Sequence, residues 1–254
     1  MIMTVTRIAM WSGPRNISTA MMRSFENRPD TVVWDEPFYA AELLATGHDH
    51  PMCDEVIAAG PTDPQVVVER ILGPICDPKK PGATIFYQKH MTQHMLPDFP
   101  LAWIDQVTSA FLIRDPARVL ASYTRAWDDV SLEAIGLPRQ VDIFNRVADR
   151  LGHAPAVIDT ADVLCDPRGV LGALCEALGI PFMKAMLAWP RGRRASDGIW
   201  APAWYASVEA STGFSQPADA SRPQLEGRLA QIAEAAQPLY EMLRRHRLRP
   251  HRSS

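Results

Sequence analysis

Lysine is scarce in this chain: of its 26 basic residues, 22 are arginine, and the only lysines are Lys79, Lys80, Lys89 and Lys184. Net charge is nearly absent as well, at −3 over 254 residues. A sum that small offers no global attraction to nucleic acid or to an anionic membrane, so an anion site has to be local. Cysteine is rare and unpatterned. Cys53, Cys76, Cys165 and Cys175 form no CxxC pair and no Cys/His ligand spacing, which favours reduced, mostly buried thiols in a cytoplasmic, metal-free protein over zinc or disulfides. No run approaches the roughly 20 apolar residues that cross a bilayer. The apolar stretch around Ile8, about five residues long, is too short for a signal core. Internal repeats and low-complexity segments are missing too. What remains is 47% apolar and 22% charged residues, an ordinary globular mix that predicts one domain over 1–254. Genome composition accounts for most of the arginine excess, yet guanidinium groups also grip phosphate or sulfate by paired hydrogen bonds that ammonium groups cannot make.

Short apolar runs alternate with longer amphipathic ones. Ile8–Trp11, Val32–Trp34, Thr84–Tyr87, Ala110–Ile113 and Ala156–Ile158 are compact, often β-branched or aromatic, and read as buried strands. Between them the pattern predicts helices over Ser18–Asn27, Pro64–Leu72, Pro116–Ala126, Arg139–Leu151 and Pro167–Leu178, and a C-terminal helix over 224–245 that ends in a basic tail. Asp115-Pro116 and Asp166-Pro167 open two of these, each carboxylate free to cap the first turn. The predicted fold class is α/β: an open, mainly parallel sheet with helices on both faces, a three-layer sandwich. Thr46–Asp63, Pro74–Gly82 and Trp189–Pro223 read as loops, the last as a lid region over 189–223.

The first strand runs into Ser12-Gly13-Pro14-Arg15-Asn16-Ile17-Ser18-Thr19 and then a helix. That arrangement aims free amides and the positive end of a helix dipole at one spot, which suits a phosphate. An NTPase would need Gly-Lys where Asn16-Ile17 stands, so ATP hydrolysis is disfavoured. The segment resembles the 5′-phosphosulfate loop, Pro-(Lys/Arg)-Ser-Gly-Thr-Thr/Ser, of the sulfotransferases that use 3′-phosphoadenosine 5′-phosphosulfate (PAPS). It matches at Pro14, Arg15, Ser18 and Thr19, and departs at Asn16 and Ile17. The β-branched Ile17 resists the positive φ that a glycine would permit.

Three downstream stretches extend the resemblance over residues 7 to about 214. Arg114 follows a strand, with Ser122 eight positions on in the next helix; this is similar to the family's 3′-phosphate site, at the sheet edge where such folds bind ligands. Residues 156–182 resemble a structural strand, Asp-Pro, helix, Leu-Gly stretch. Arg191-Gly192-Arg193-Arg194 and the residues to Trp200 resemble the family's late basic loop, which closes over the 3′-phosphate. The resemblance therefore implies a nucleotide held by Pro14, Arg15, Asn16, Ile17, Ser18, Thr19, Arg114, Ser122, Arg191, Arg193 and Arg194. PAPS would be the co-substrate and 3′,5′-adenosine bisphosphate (PAP) the product, with no metal required.

Sulfuryl transfer asks a protein to align donor and acceptor and to neutralise charge on the bridging and equatorial oxygens. The resemblance gives Arg15 the bridging oxygen. For the base, Glu36 in Asp35-Glu36-Pro37-Phe38 resembles the glutamate of carbohydrate and bacterial members, and Lys89-His90 is similar to the Lys-x-His of small-molecule members. Adjacent residues on a strand point to opposite faces, so Lys89 and His90 cannot both face a donor. Lys89 is a candidate sulfonate contact and His90 an alternative base, with His94 behind both. The resemblance implies a small molecule or saccharide as acceptor, and Trp34, Phe38, Tyr39, Trp103, Trp127, Trp200, Trp204 and Tyr205 are candidates for its pocket. Nucleic acid and membrane are not expected partners, and oligomeric state is left open. Two other readings stand beside this one: a non-catalytic nucleotide-binding protein on the same fold, and a pyridoxal-phosphate aminotransferase-like enzyme using Lys89.

Overall fold

The computed structural model describes residues 5–75, 77–124, 130–216 and 221–250. Cys76, Trp127 and the end of the helix expected over Pro116–Ala126 lie outside the described residues, as do His251 and Arg252 of the basic tail. In chain order the elements are β1 (Thr6–Ser12), α1 (Ser18–Glu26), β2 (Thr31–Asp35), α2 (Tyr39–Thr46), α3 (Cys53–Ala59) and α4 (Pro64–Leu72). They continue with β3 (Ile85–Met91), β4 (Thr108–Ile113), α5 (Pro116–Tyr123), α6 (Leu137–Leu151), β5 (Ala156–Asp159), α7 (Thr160–Cys165) and α8 (Pro167–Ala177). Two short helices, α9 (Ala201–Trp204) and α10 (Ala206–Glu209), precede the long α11 (Gly227–Arg244).

The five strands form one parallel sheet in the order β2-β3-β1-β4-β5. Strand alternation explains its two covered faces. Ile8 and Met10 of β1 join Ile85, Tyr87, Ala110, Leu112 and Ile158 beneath α1 and α8. Ala9 and Trp11 join Phe111, Ile113 and Val157 on the other face, beneath α4, α5, α6 and α11. All five expected strands are present, and the sandwich is the three-layer α/β arrangement expected. Asp115 accepts from the Arg118 amide at 3.2 Å and Asp166 from the Gly169 amide at 2.8 Å, the caps anticipated from the two Asp-Pro pairs.

Three boundaries differ from the sequence pattern. β3 runs on through Gln88, Lys89 and His90 to Met91, four residues beyond its apolar run, because each of its residues is buried between β1 and β2. α2, not anticipated, starts directly after Phe38, and the expected loop Thr46–Asp63 contains α3. The expected lid contains α9 and α10, which pack through Trp200, Ala201 and Tyr205 on α2. Among the described residues no helix is long and apolar enough to cross a membrane.

Candidate functional site

The residues following β1, β2, β3 and β4 meet at the carboxyl edge of the sheet, around a cavity of about 420 Å³. Its floor is the turn from β1 into α1. Gly13 is required there by close approach, since a Cβ would lie 2.3 Å from the Ile135 carbonyl oxygen. Arg15 (φ 60) and Ile17 (φ 57) both sit in the left-handed region. Ile17 thus holds a left-handed conformation that favours glycine, at a strain of about 1–2 kcal/mol that the surrounding contacts must offset. Those contacts are identifiable. Ile17 packs on the core beneath α1, Asn16 donates through Nδ2 to the Leu112 carbonyl at 3.2 Å, and Thr160 donates to the Asn16 carbonyl at 3.2 Å. Ile17 offers no side-chain cap to α1, so the first-turn amides of that helix are left for a ligand at its positive end.

Arg114, at the end of β4, donates to the Arg15 carbonyl, and Arg15 Nε donates to Ser122 Oγ of α5 at 3.0 Å. Two guanidinium groups and a hydroxyl, distant in sequence, are thereby joined at the turn. Arg114 Nε is buried and has no partner. Burial, followed by the neighbouring charges of Arg118 and Arg15, pushes the Arg114 pKa down. Clustered cations with an orphaned buried donor suit an anion.

The opposite wall is a buried ionic network. Lys89 Nζ, 1% exposed, donates to Asp35 Oδ1 at 2.9 Å, to Glu36 Oε1 at 2.5 Å and to Tyr205 Oη at 2.7 Å, which uses all three of its protons. Tyr205 in turn donates to Asp35 Oδ2 at 2.6 Å and accepts from Trp200 Nε1 at 3.1 Å. Burial alone would depress the Lys89 pKa, but the carboxylates of Asp35 and Glu36 outweigh it and the net shift is upward. Glu36 has φ 41, and its amide donates to the Lys89 carbonyl at 2.9 Å, so the glutamate is tied to β3 by main chain and side chain alike. Its second oxygen, Oε2, lies 3.7 Å from His94 Nδ1. Arg15, Ile17 and Glu36, three of the four non-glycine residues with positive φ among those described, all line this cavity. Replacing Lys89 by Met leaves two buried carboxylates uncompensated, and the expected loss is about 3–5 kcal/mol of folding stability. Urea denaturation at neutral pH checks this; a loss under about 1 kcal/mol would contradict the network.

His90 points the other way. It is buried in the opposite face of the sheet, stacked on Trp11 at 4.5 Å and 5.2 Å from the Trp103 ring, and it does not line the cavity. Burial and then the nearby His94 push its pKa down to about 3. The alternation that separates Lys89 from His90 thus removes His90 from the site.

A profile described as "Sulfotransferase domain" matches residues 6–247. The chain belongs to the sulfotransferase domain family. Among solved structures, the fold of this sulfotransferase domain is similar to the sulfotransferase domain from the curacin biosynthetic pathway, with TM-score 0.52, 15% identity, and 92% of this chain and 98% of that one covered. A sulfotransferase from Alicyclobacillus acidocaldarius aligns with TM-score 0.52 and 12% identity over 96% of this chain and 97% of that one. Two Arabidopsis thaliana proteins, branched-chain-amino-acid aminotransferase-like proteins 1 and 2, are 38% and 36% identical over 240 and 241 residues, 94% of this chain in each case. The chain spans about two fifths of their length, 42% and 41%.

The basic loop of this sulfotransferase domain does not reach the cavity. Asp197 is paired with Arg23 of α1 at 2.7 Å, with both side chains buried. It also accepts from the Arg194 amide at 2.7 Å, while Arg194 Nη1 lies 3.3 Å from Glu26 Oε2. Glu26 ends α1, about 12 Å from its first residue at ~1.5 Å per residue. Arg191 and Arg193 are exposed. The expectation of arginines from 191–194 beside Arg15 and Arg114 is corrected in this structure: none of Arg191, Arg193 and Arg194 lines the cavity, whereas Ser211, Gly213, Phe214, Ser215 and Gln216 do. Of the aromatic candidates, Tyr39, Trp204 and Tyr205 line it. Phe38 and Trp103 lie in the core, Trp200 is buried against Tyr205, and Trp34 borders a separate cavity along the outer edge of β2. His50, Gln93 and Tyr123 line the cavity without any signal in the local sequence, whereas the lining residues of 211–216 fall in the expected lid region. Among the described residues no group of three or more His, Cys, Asp or Glu could hold a metal.

Proposed function

We propose that this sulfotransferase domain moves a sulfuryl group from PAPS to a hydroxyl of a small molecule or saccharide, releasing PAP. In this reading the Pro14–Thr19 turn and the start of α1 hold the 5′-phosphosulfate, and Arg114 with Ser122 holds the 3′-phosphate. Arg15 stabilises the bridging oxygen as the S–O bond to the 5′-phosphate breaks, and Glu36 takes the acceptor proton. The observation that carries it is one cavity lined both by the Arg15–Ser122–Arg114 cluster and by Glu36. Positioning and charge neutralisation are what this transfer needs, and both are supplied by groups held rigidly in place.

Asn16, Ile17 and the adjacency of Lys89 and His90 are the features that favour the non-catalytic alternative. Ile17 adopts φ 57 regardless, and Asn16 ties the turn to β4, so neither departure removes the turn's geometry. The aminotransferase-like name of the two plant relatives invites a Schiff base at Lys89. A Schiff-base lysine needs a free neutral amine, whereas Lys89 is charged, buried and fully hydrogen-bonded, which favours a structural cation.

Incubation with ³⁵S-labelled PAPS and a mixed panel of hydroxyl acceptors tests the proposal. The expected result is acceptor-dependent release of PAP with label on the acceptor. Tight PAP binding without turnover on any acceptor would favour the non-catalytic protein, and absence of PAP binding would end the sulfotransfer reading.

A further inference from the structure

The end of the cavity lined by Glu36 and His94 has its own chemistry. His94 is 4% exposed, and its Nδ1 is buried without a hydrogen-bond partner. It lines the cavity and faces Glu36 Oε2 at 3.7 Å. An oxygen at ~2.8 Å from both atoms fits that separation, with an angle of about 83° at the oxygen. The imidazole lies flat on Tyr39, ring centres 4.4 Å apart and planes 3° from parallel. Tyr39 Oη is 3.1 Å from His50 Nδ1, and the His50 ring is 6.5 Å from that of Trp204. A continuous aromatic wall therefore leads away from the carboxylate.

Among the described residues this wall carries no available cation. The three protons of Lys89 are committed to Asp35, Glu36 and Tyr205. His94 is held neutral by burial, which pushes its pKa down to about 3 even though Glu42 opposes the shift. His50 is also shifted down, by burial first and then by His48. The carboxylates on this side include Glu36 itself, the buried Glu42, which His48 Nδ1 meets at 2.8 Å, and Asp49, whose charge acts on His50.

We infer that this end is the acceptor subsite, that it takes an uncharged hydroxyl compound with a flat apolar body, and that His94 Nδ1 holds the acceptor oxygen against Glu36 Oε2. The inference rests on the sulfuryl-transfer reading and narrows it, because an acidic saccharide or aryl acid would bring its charge beside Glu36 and Glu42 with no cation among the described residues of this wall to meet it. In the transfer the acceptor O–H breaks and its proton goes to Glu36. The acceptor oxygen bonds to sulfur, and the S–O bond to the 5′-phosphate breaks, leaving PAP. A neutral His94 with its proton on Nδ1 donates to that oxygen as it loses its own proton.

The test compares 4-ethylphenol, 4-hydroxybenzoate and maltose as acceptors, with PAP affinity measured separately by calorimetry. The expected kcat/KM for 4-ethylphenol exceeds both others by at least about tenfold. His94→Phe keeps the stack on Tyr39 but removes the nitrogen; it is expected to lower kcat for 4-ethylphenol about 100-fold while PAP affinity stays within about twofold. His94→Asn, whose amide nitrogen falls near the Nδ1 position, is expected to recover part of the loss, which a purely packing role for the ring would not produce. Three results overturn the inference: undiminished kcat in His94→Phe, equal use of 4-hydroxybenzoate or maltose, or no transfer to 4-ethylphenol by a protein that binds PAP. Failure to bind PAP removes the sulfuryl-transfer reading itself, and the inference with it.

Discussion

Arg114→Ala is expected to weaken PAP binding about 10- to 100-fold, equivalent to ~1.5–3 kcal/mol, as titrated by calorimetry. The size follows from where the guanidinium sits. Arg114 is half-buried with an orphaned Nε, and it donates to the Arg15 carbonyl, so under the proposed function truncation would remove a 3′-phosphate contact and loosen the turn proposed to hold the 5′-group. Arg114→Lys is expected to recover only part of the affinity, because an ammonium cannot make the paired contact. Arg191→Ala serves as the control. Arg191 is exposed, in the loop that the Arg23–Asp197 pair pins at the far end of α1, and its loss is expected to leave PAP affinity within about twofold. If Arg191→Ala weakened PAP as much as Arg114→Ala, the basic loop would have to close over the ligand, in conflict with that buried pair.

Glu36→Gln is expected to lower kcat for sulfuryl transfer about 10²- to 10⁴-fold with PAP affinity unchanged. Glutamine preserves shape and still accepts from Lys89 Nζ through its amide oxygen, yet it cannot take a proton from the acceptor. The split matters because Glu36 also belongs to the Lys89 network. A merely structural role would appear as lost stability and lost affinity together, whereas a base leaves binding intact and removes turnover. Retention of more than about a tenth of wild-type kcat would transfer the role to another group, with His94 next in line by position.

The sheet was legible because its strands obey simple alternation. Ile8/Met10 and Ala9/Trp11 are each apolar, as expected of a strand covered on both faces, and the other four strands read the same way. The end of β3 was not legible, because Gln88, Lys89 and His90 are polar yet buried, and no local pattern reveals that Lys89 finds Asp35 and Tyr205, 54 and 116 positions away. For the same pair of residues the period of two correctly implied opposite faces, and the structure shows what each face holds: an ionic network for Lys89, stacked indoles for His90. Ile17 was recognisable as a misfit to a turn needing positive φ; that the turn forms anyway depends on tethers from Leu112 and Thr160, distant in sequence. The loop at 191–194 misled for a related reason. Its arginines suggest an anion, but Asp197 and Glu26 supply the partners, and the Arg23–Asp197 pair spans 174 positions. The scarcity of lysine sharpens in this light, since Lys89, the lysine lining the cavity, holds two carboxylates in place and leaves the anion to arginine.

Calorimetric titration of the unmodified chain with PAP, adenosine 5′-monophosphate and ATP in parallel tests the central claim most directly. The proposed assignment of the Pro14–Thr19 turn to the 5′-group and of Arg114 and Ser122 to the 3′-phosphate predicts micromolar or tighter binding of PAP and at least about tenfold weaker binding of both other nucleotides. Equal affinity for PAP and adenosine 5′-monophosphate, or no binding of PAP, would contradict it.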